Sequence, residues 1–594
     1  MRLSLLAAAT SALLMLAGMA HGAEPPKAPD EAKIQLHWGV KIPLRDGVKL
    51  NATVYTPKGQ AAPAPCIFTL TPYISQTYNE RGVYFAAHGL PFLIVDVRGR
   101  GNSEGVFHPM IQEAKDGYDV VEWLAKQSYC NGKVSMWGGS YAGYDQWATA
   151  KERPPHLSTI VPVAAPYAGM DFPMHANIAS PYLLQWLFFT AGHTGQDQIF
   201  GDTPYWNQLW KDRFEKGQSF AGLSKAIDGF DPPTLRAWTG HPTLGPYYDA
   251  YNPSEAQYRA LTIPILTLTG SYDGDQLGAL AHYRNYMKVA TPEARDRHYL
   301  IIGPWDHPAT RTPRAKIGGL TFGPASLVDL PALHTQWYNW TMAGGPKPDF
   351  LKKHVAYYVM GAETWRYADT LEGVTAEEKP YLLESTGDAQ KLAGSGALLA
   401  GAAAKGPPDS YVYDPRDTST AALEASITSP DVLTDTTMVT AQDTKQLVYH
   451  SPPFAKDTEI SGFFRLSAWI AIDQPDTDFL ATVYEITADG HSIQLTSDMV
   501  RARYRQSLKT QALIATREPL KYDFSSFMFV SRKVAAGSRL RLIIGPINSI
   551  SAQKNYNSGK PVSLETMADA RAVKVTLVHD KAHPSTLYVP FGQP

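Results

Sequence analysis

What restricts the folds open to this chain most sharply is a set of short runs that are apolar on both faces. CIFTLTPY (66–73), FLIVDVRGRG (92–101), VSMWGGS (134–140), STIVPVAAPY (158–167), IPILTLTGSYD (263–273) and HYLIIGPWDH (298–307) are nearly continuous in apolar residues and end in glycine, proline or a polar residue. A strand with one wet face alternates apolar and polar residues. A strand without alternation is covered on both sides, the situation of a parallel sheet flanked by helices. Helix-spaced stretches at 112–126 and 142–152 separate the runs, so the order is β-α-β-α and predicts an α/β fold with an open, doubly wound sheet.

Residues 168–258 break that rhythm. They are dense in aromatics, as in YLLQWLFFTAGH, YWNQLWKDRF and LRAWTGH, with helical spacing, and so predict a helical cap inserted over the strand ends. From about His354 the texture changes again. HVAYYVMG, QLVYHSPP, ISGFFRLSAWIAI, FLATVYEITADG, LRLIIGP and AVKVTLVHD have the alternation and turn spacing of an antiparallel β-sandwich. LAGSGALLAGAAAKGPPDS (392–410) has the small-residue composition of a linker or loop. The expected division is therefore an α/β domain at 24–167 and 259–350, a cap at 168–258 and a β-sandwich at 351–594.

The first 23 residues stand apart. Arg2 supplies a positive start, Leu3 to Met19 an apolar stretch, and Ala20, Gly22 and Ala23 small residues for cleavage, which predicts an export signal and a periplasmic or extracellular protein. A retained anchor helix is the alternative, and no other apolar run is long enough to span a membrane. A net charge of −2 without a long basic run gives no footprint for nucleic acid. Two cysteines, Cys66 and Cys130, rule out a disulfide-dependent scaffold and leave either buried thiols or one bridge.

Chemistry enters at VSMWGGSYAG (134–143). A serine between a buried strand and a helix, with small neighbours, is the pattern of a nucleophile elbow, in which a tight turn lifts the hydroxyl out at the strand's end. The helix beginning there aims its first amides at the place where negative charge would develop. Catalysis by Ser140 needs a histidine base and a carboxylate to orient it, and α/β hydrolases supply them in the order serine, acid, histidine, each just past a strand. Asp273 follows one predicted strand and His307 the next. Competing readings are a turn-forming Asp273, Asp275 in its place, Asp306 capping a turn beside His307, and His175, His193 or His282 as the base. Asp96 and Arg98 are expected to pair and shape their loop.

With GGSYAG (138–143), TPY (71–73), DVRGRGNSEG (96–105), GSYDG (270–274) and GPWDH (303–307) in this order before a late β region, the chain resembles the family of Xaa-Pro dipeptidyl-peptidases, cocaine esterase and α-amino-acid ester hydrolases. The resemblance implies an α/β-hydrolase domain, a jelly-roll C-terminal domain and a Ser140, Asp273, His307 triad that needs no metal or cofactor. It also implies an oxyanion hole from the Tyr73 hydroxyl and the Tyr141 amide; from the residues alone, Tyr73 would be a core tyrosine at a strand end. α-Amino-acid ester hydrolases hold their substrate's ammonium in a carboxylate cluster. Asp275 matches one member, Gln276 stands where a second acid is expected, and Asp171 lies loosely near the third.

A neutralised cluster binds a cation less strongly, so strict α-amino specificity is not expected. These features predict hydrolysis of a small-molecule ester or amide, cocaine esterase-like on acyl groups without a free amine or α-amino-acid ester hydrolase-like, with peptide or β-lactam chemistry suited to an exported enzyme. Xaa-Pro dipeptidyl-peptidase activity is the alternative within the family. A non-catalytic binding protein, with Trp469 as part of a platform, is the alternative outside it; a Trp in an alternating strand is more often core. The cap's aromatics would serve a substrate pocket or a homo-oligomer interface equally well.

Overall fold

A mixed sheet of ten strands carries the first two thirds of the chain. In this computed structural model, which describes residues 30–593 apart from 395, 402–405 and 429, the middle of the sheet is wholly parallel. Its spatial order there is Phe92–Asp96, Ala64–Thr71, Cys130–Gly139, Leu157–Val163, Ile265–Tyr272, His298–Asp306 and Val355–Val359. Lack of alternation in these segments matches their burial: all of Phe92–Asp96 and all but the last residue of Ile265–Tyr272 are buried. Helices Glu113–Leu124 and Tyr141–Lys151 fall within a residue or two of the stretches expected from periodicity. The expected export segment lies outside the described residues.

Both edges of the sheet differ from the expectation. Ile34–Pro43 and Lys49–Pro57 form an antiparallel pair at one edge. At the other, Val355–Val359 runs parallel to His298–Asp306 and Thr364–Ala368 closes the edge antiparallel. HVAYYVMG therefore belongs to the α/β sheet and not to the C-terminal sandwich. All five residues of Val355–Val359 are buried, and a strand covered on both faces has the same apolar texture in either setting. Only its hydrogen-bonding partner tells the two apart.

Between Leu157–Val163 and Ile265–Tyr272 the chain makes the cap, with helices Tyr182–Phe189, Thr203–Glu215 and Pro233–Gly240. Trp186, Trp206, Trp210 and Trp238 are buried in one cluster with Tyr141 and Tyr144 of the helix beneath. Most of the cap's aromatic density is thus its own core.

From Thr375–Glu384 to Thr586–Gly592 the chain is an all-β region, a network of thirteen strands paired almost entirely antiparallel. Arg465–Ile472 alternates exposed or half-buried with buried residues, as a sandwich strand should. Trp469 lies on the half-buried side of that strand, edge-on to His583 at 4.9 Å, so it is neither deep core nor part of an open platform. The region is tied to the α/β domain through Gln276, whose amide donates to Phe529 O (3.1 Å) and accepts from Phe529 N (2.6 Å).

Cys66 and Cys130 are free, buried thiols on adjacent strands. Burial pushes the Cys66 thiol up, with Cys130 beside it as a hydrogen-bond partner adding to the effect. The expected Asp96–Arg98 pair does not form. Arg98 turns instead to Asp116 (2.5 and 2.7 Å) and Asp46 (2.6 Å), while Asp96, at the end of a buried strand, accepts from Asn51 Nδ2 at 3.2 Å.

Candidate active site

Ser140 stands between the strand Cys130–Gly139 and the helix Tyr141–Lys151 with φ 63° and ψ −131°. For a residue with a Cβ this conformation costs about 1–3 kcal/mol and persists only where its surroundings enforce it. Here Ser140 N donates to Val163 O (3.0 Å) and Tyr144 N donates to Ser140 O (3.0 Å). Gly143 lets the helix close on the sheet: a Cβ there would meet Val163 O at 2.6 Å. The strand-end turn therefore presents the hydroxyl away from the core.

Tyr73, just past the strand Ala64–Thr71, places its phenol oxygen 3.3 Å from Ser140 Oγ. Trp186 Nε1 donates to the same phenol at 3.4 Å, and the ring stacks on Phe189 with centroids 5.6 Å apart. Burial pushes the phenol's ionisation well up, so it stays a neutral donor. Arg100 holds this loop. Its buried guanidinium donates to the carbonyls of Pro72 (2.7 Å), Ala191 (2.7 Å), Gly192 (2.5 Å) and Phe189 (3.2 Å), joining the residue before Tyr73 to the cap. The second arginine of DVRGRG thus has a positioning role that the sequence did not reveal.

Tyr141 sends its side chain inward. The phenol donates to Glu113 and accepts from Met110 N. Burial pushes the Glu113 carboxyl up to about 7. Only the backbone amide of Tyr141 is left for the cavity, at the helix N-terminus where amides lack an intrahelical acceptor.

His307 Nδ1 lies 2.7 Å from Asp273 Oδ1. Asp273 is fully buried and also accepts from Thr269 Oγ1 (2.9 Å) and Asp275 N (3.1 Å). Burial alone would push the Asp273 carboxyl up, but the imidazole and these donors hold it below its usual value. Burial likewise works against the imidazolium, yet the Asp275 and Asp273 carboxylates outweigh it and hold His307 above its ordinary value. Its side chain is 32% exposed, so a bound molecule can reach it. Ser140 Oγ bonds the Tyr73 phenol and, among the described residues, makes no hydrogen bond to His307; such contacts commonly tighten only when substrate is bound.

Asp275 lies 3.7 Å from His307 Nδ1 and faces the cavity, with burial pushing its carboxyl up to about 6. Asp171 is anchored by Tyr167 N (2.8 Å) and Gly278 N (2.5 Å), and burial followed by the Asp275 charge pushes its carboxyl well above the usual range. Sequence distance left Asp171 only loosely placed; the fold sets it beside Asp275. Gln276 is absorbed by Phe529 and does not line the cavity. The rival histidines fall elsewhere. His282 packs on Trp147 and bonds the Tyr258 hydroxyl, His175 is pushed down to about 4 by burial, and His193 bonds Gly101 O. Asp306 accepts from Ala309 N at 3.1 Å, the capping role allowed for it.

Two adjoining cavities meet at Ser140. One, of about 250 Å³, is lined by Tyr141, Pro166, Phe172, Gly274 and Asp275; the other, of about 200 Å³, by Thr77, Tyr78, Phe189, Phe200 and Arg311. Tyr73, Ser140, Tyr182, Trp186 and His307 line both. Arg311, four residues after His307, was not singled out by sequence reasoning because nothing in HPATRTP marks one arginine as inward-facing.

Residues 46–309 match the X-Pro dipeptidyl-peptidase (S15) family, and residues 350–588 match the X-Pro dipeptidyl-peptidase C-terminal non-catalytic domain. The chain belongs to the S15 family. A cocaine esterase of Rhodococcus sp. (strain MB1 Bresler) is 24% identical over 582 residues, covering 93% of this chain and 97% of that one. Two solved structures share the fold with a TM-score of 0.79. An aminopeptidase from a marine sediment Thaumarchaeota archaeon is 19% identical, covering 97% of this chain and 99% of the other; an α-amino acid ester hydrolase is 20% identical, covering 97% and 100%. As an S15 family member the chain is a hydrolytic enzyme, built from an α/β-hydrolase domain and a C-terminal β-sandwich.

Proposed function

We propose that the protein cleaves ester or amide acyl bonds through an acyl-enzyme formed on Ser140. The observation that carries this reading is the strained Ser140 hydroxyl opening into a cavity shared with His307, whose other ring nitrogen is held 2.7 Å from a fully buried carboxylate. His307 takes the hydroxyl proton as Oγ attacks the carbonyl carbon, and Asp273 fixes the tautomer and stabilises the imidazolium. The Tyr73 phenol and the Tyr141 amide donate to the oxyanion. His307 then protonates the leaving alcohol or amine as the C–O or C–N bond breaks. Water, deprotonated by the same imidazole, attacks the acyl carbon and releases the acid and free serine.

Asp275, facing the cavity with Asp171 behind it, supports an acyl group that carries a free amine, and it offers the same acceptor to the N-terminus of a peptide. With Gln276 turned away and Asp171 held by two backbone amides outside the cavity lining, Asp275 alone faces the ammonium, where three acids would bind a cation more strongly. Residues 1–23 support action outside the cytoplasm. The test is turnover of 4-nitrophenyl acetate, an α-amino-acid methyl ester, its N-blocked analogue and a Gly-Pro anilide, each beside Ser140→Ala. Serine-dependent cleavage with preference for the free amine is the expected result; cleavage of esters that survives Ser140→Ala overturns the assignment.

A further inference from the structure

In the cavity opposite Asp275, Arg311 is the one guanidinium among the lining residues. Its stem lies against the nucleophile's turn: a Cβ on Gly139 would meet Arg311 Nη1 at 2.7 Å and Cδ at 2.8 Å. Nη1 is shut off from solvent and has no acceptor, and the side chain makes no ion pair among the described residues. Arginines elsewhere near the site are engaged, Arg100 by four carbonyls and Arg98 by two carboxylates. The side chain is half-buried, so only Nη1 is closed off, and a guanidinium nitrogen without water or an acceptor is costly to maintain; a planar guanidinium fork is shaped for a carboxylate.

We propose that Arg311 binds a carboxylate carried by the substrate's leaving group. The assignment of side rests on the proposed function: with the oxyanion between Tyr73 and Tyr141 and the acyl amine towards Asp275, the leaving group occupies the other cavity. The walls there, Tyr78, Phe189 and Phe200, suit an apolar or aromatic body bearing the charge. One guanidinium, with no second arginine or lysine among the lining residues, suits a singly charged carboxylate rather than a phosphate. The site then has opposite charges at its two ends and favours zwitterionic substrates, such as an aminoacyl group on an amine or alcohol that carries an acid.

The test compares phenyl acetate, 4-acetoxybenzoate (acid on the leaving group) and phenyl hydrogen succinate (acid on the acyl group). The kcat/KM ratio of 4-acetoxybenzoate to phenyl acetate is expected to fall about 10-fold or more in Arg311→Gln, as loss of a charged hydrogen bond implies, and to recover in part in Arg311→Lys. An unchanged ratio, or an equal fall for the succinate, overturns the proposal. Ser140-dependent cleavage of phenyl acetate together with an unmoved ratio removes this inference alone; cleavage independent of Ser140 removes the underlying mechanism. A direct binding arm uses benzoate and benzyl alcohol to protect Ser140 from a fluorophosphonate. Protection by benzoate only, lost in Arg311→Gln, supports the proposal, and equal protection by both contradicts it.

Discussion

Two clusters of buried charge in this molecule are satisfied very differently. In the β-sandwich, Arg501 grips Asp478 with two bonds (2.8 and 2.9 Å), Arg503 bonds Asp476 at 2.7 Å, and Asn555 bridges both carboxylates. Arg501 has donors left for Gln553 and for Asn177 O of the cap, so little of its capacity is unused. Around Ser140 the charges are separated. Asp275 and Asp171 are pushed up by burial and by neighbouring carboxylates, His307 is held up between two acids, and Arg311 Nη1 has no acceptor. A saturated cluster fixes one arrangement of domains. An unsaturated one keeps binding capacity in reserve for a molecule that is not part of the chain.

The strongest way to break this contrast is at the saturated cluster. Arg501→Met strands Asp478 as an uncompensated buried charge and should cost about 3–5 kcal/mol in denaturant unfolding; a loss near zero would show that the pairing is not structural. Tyr73→Phe deletes one donor to the oxyanion and should lower kcat on esters about 10²–10³-fold with the fold retained by circular dichroism. Asp275→Asn sharpens the electrostatic side. Only neutral imidazole accepts the serine proton, so kcat/KM rises with pH through the His307 pKa, which lies above the ordinary 6.5. Removing a carboxylate that raises it should move that rising limb to lower pH, read from the pH profile of an uncharged ester. The smallest effect is expected for Arg311→Met, which exchanges an unpaired, partly desolvated cation for an apolar stem. Its thermal midpoint should be unchanged or slightly higher, whereas a large fall would give Arg311 a structural partner.

Much of this was legible in the sequence because the signals are local. Uninterrupted apolar runs fixed the parallel strands, and a glycine-flanked serine and two strand-end residues fixed the candidates Ser140, Asp273 and His307. Val355–Val359 was misplaced because its texture reports burial and not its neighbour. Ile34–Pro43 escaped notice because an edge strand is mostly exposed and weakly patterned, and Lys49–Pro57 because the buried polar residues Asn51, Thr53 and Thr56 interrupt its apolar run. The turn of Tyr141 towards Glu113, the approach of Asp171 to Asp275 and the inward course of Arg311 all depend on contacts between segments far apart in the chain, and no periodicity records them. Gln276 shows the reverse. Its identity suggested a neutralised ligand, but the fold uses it to hold the sandwich through Phe529.

The most direct test of the account is covalent labelling of the folded protein with a fluorophosphonate, read by intact mass and peptide mapping in the native chain and in Ser140→Ala. A single adduct on Ser140 is expected, formed faster as pH rises through the His307 pKa and absent from the variant. An adduct on another residue, or equal labelling of the variant, would contradict it.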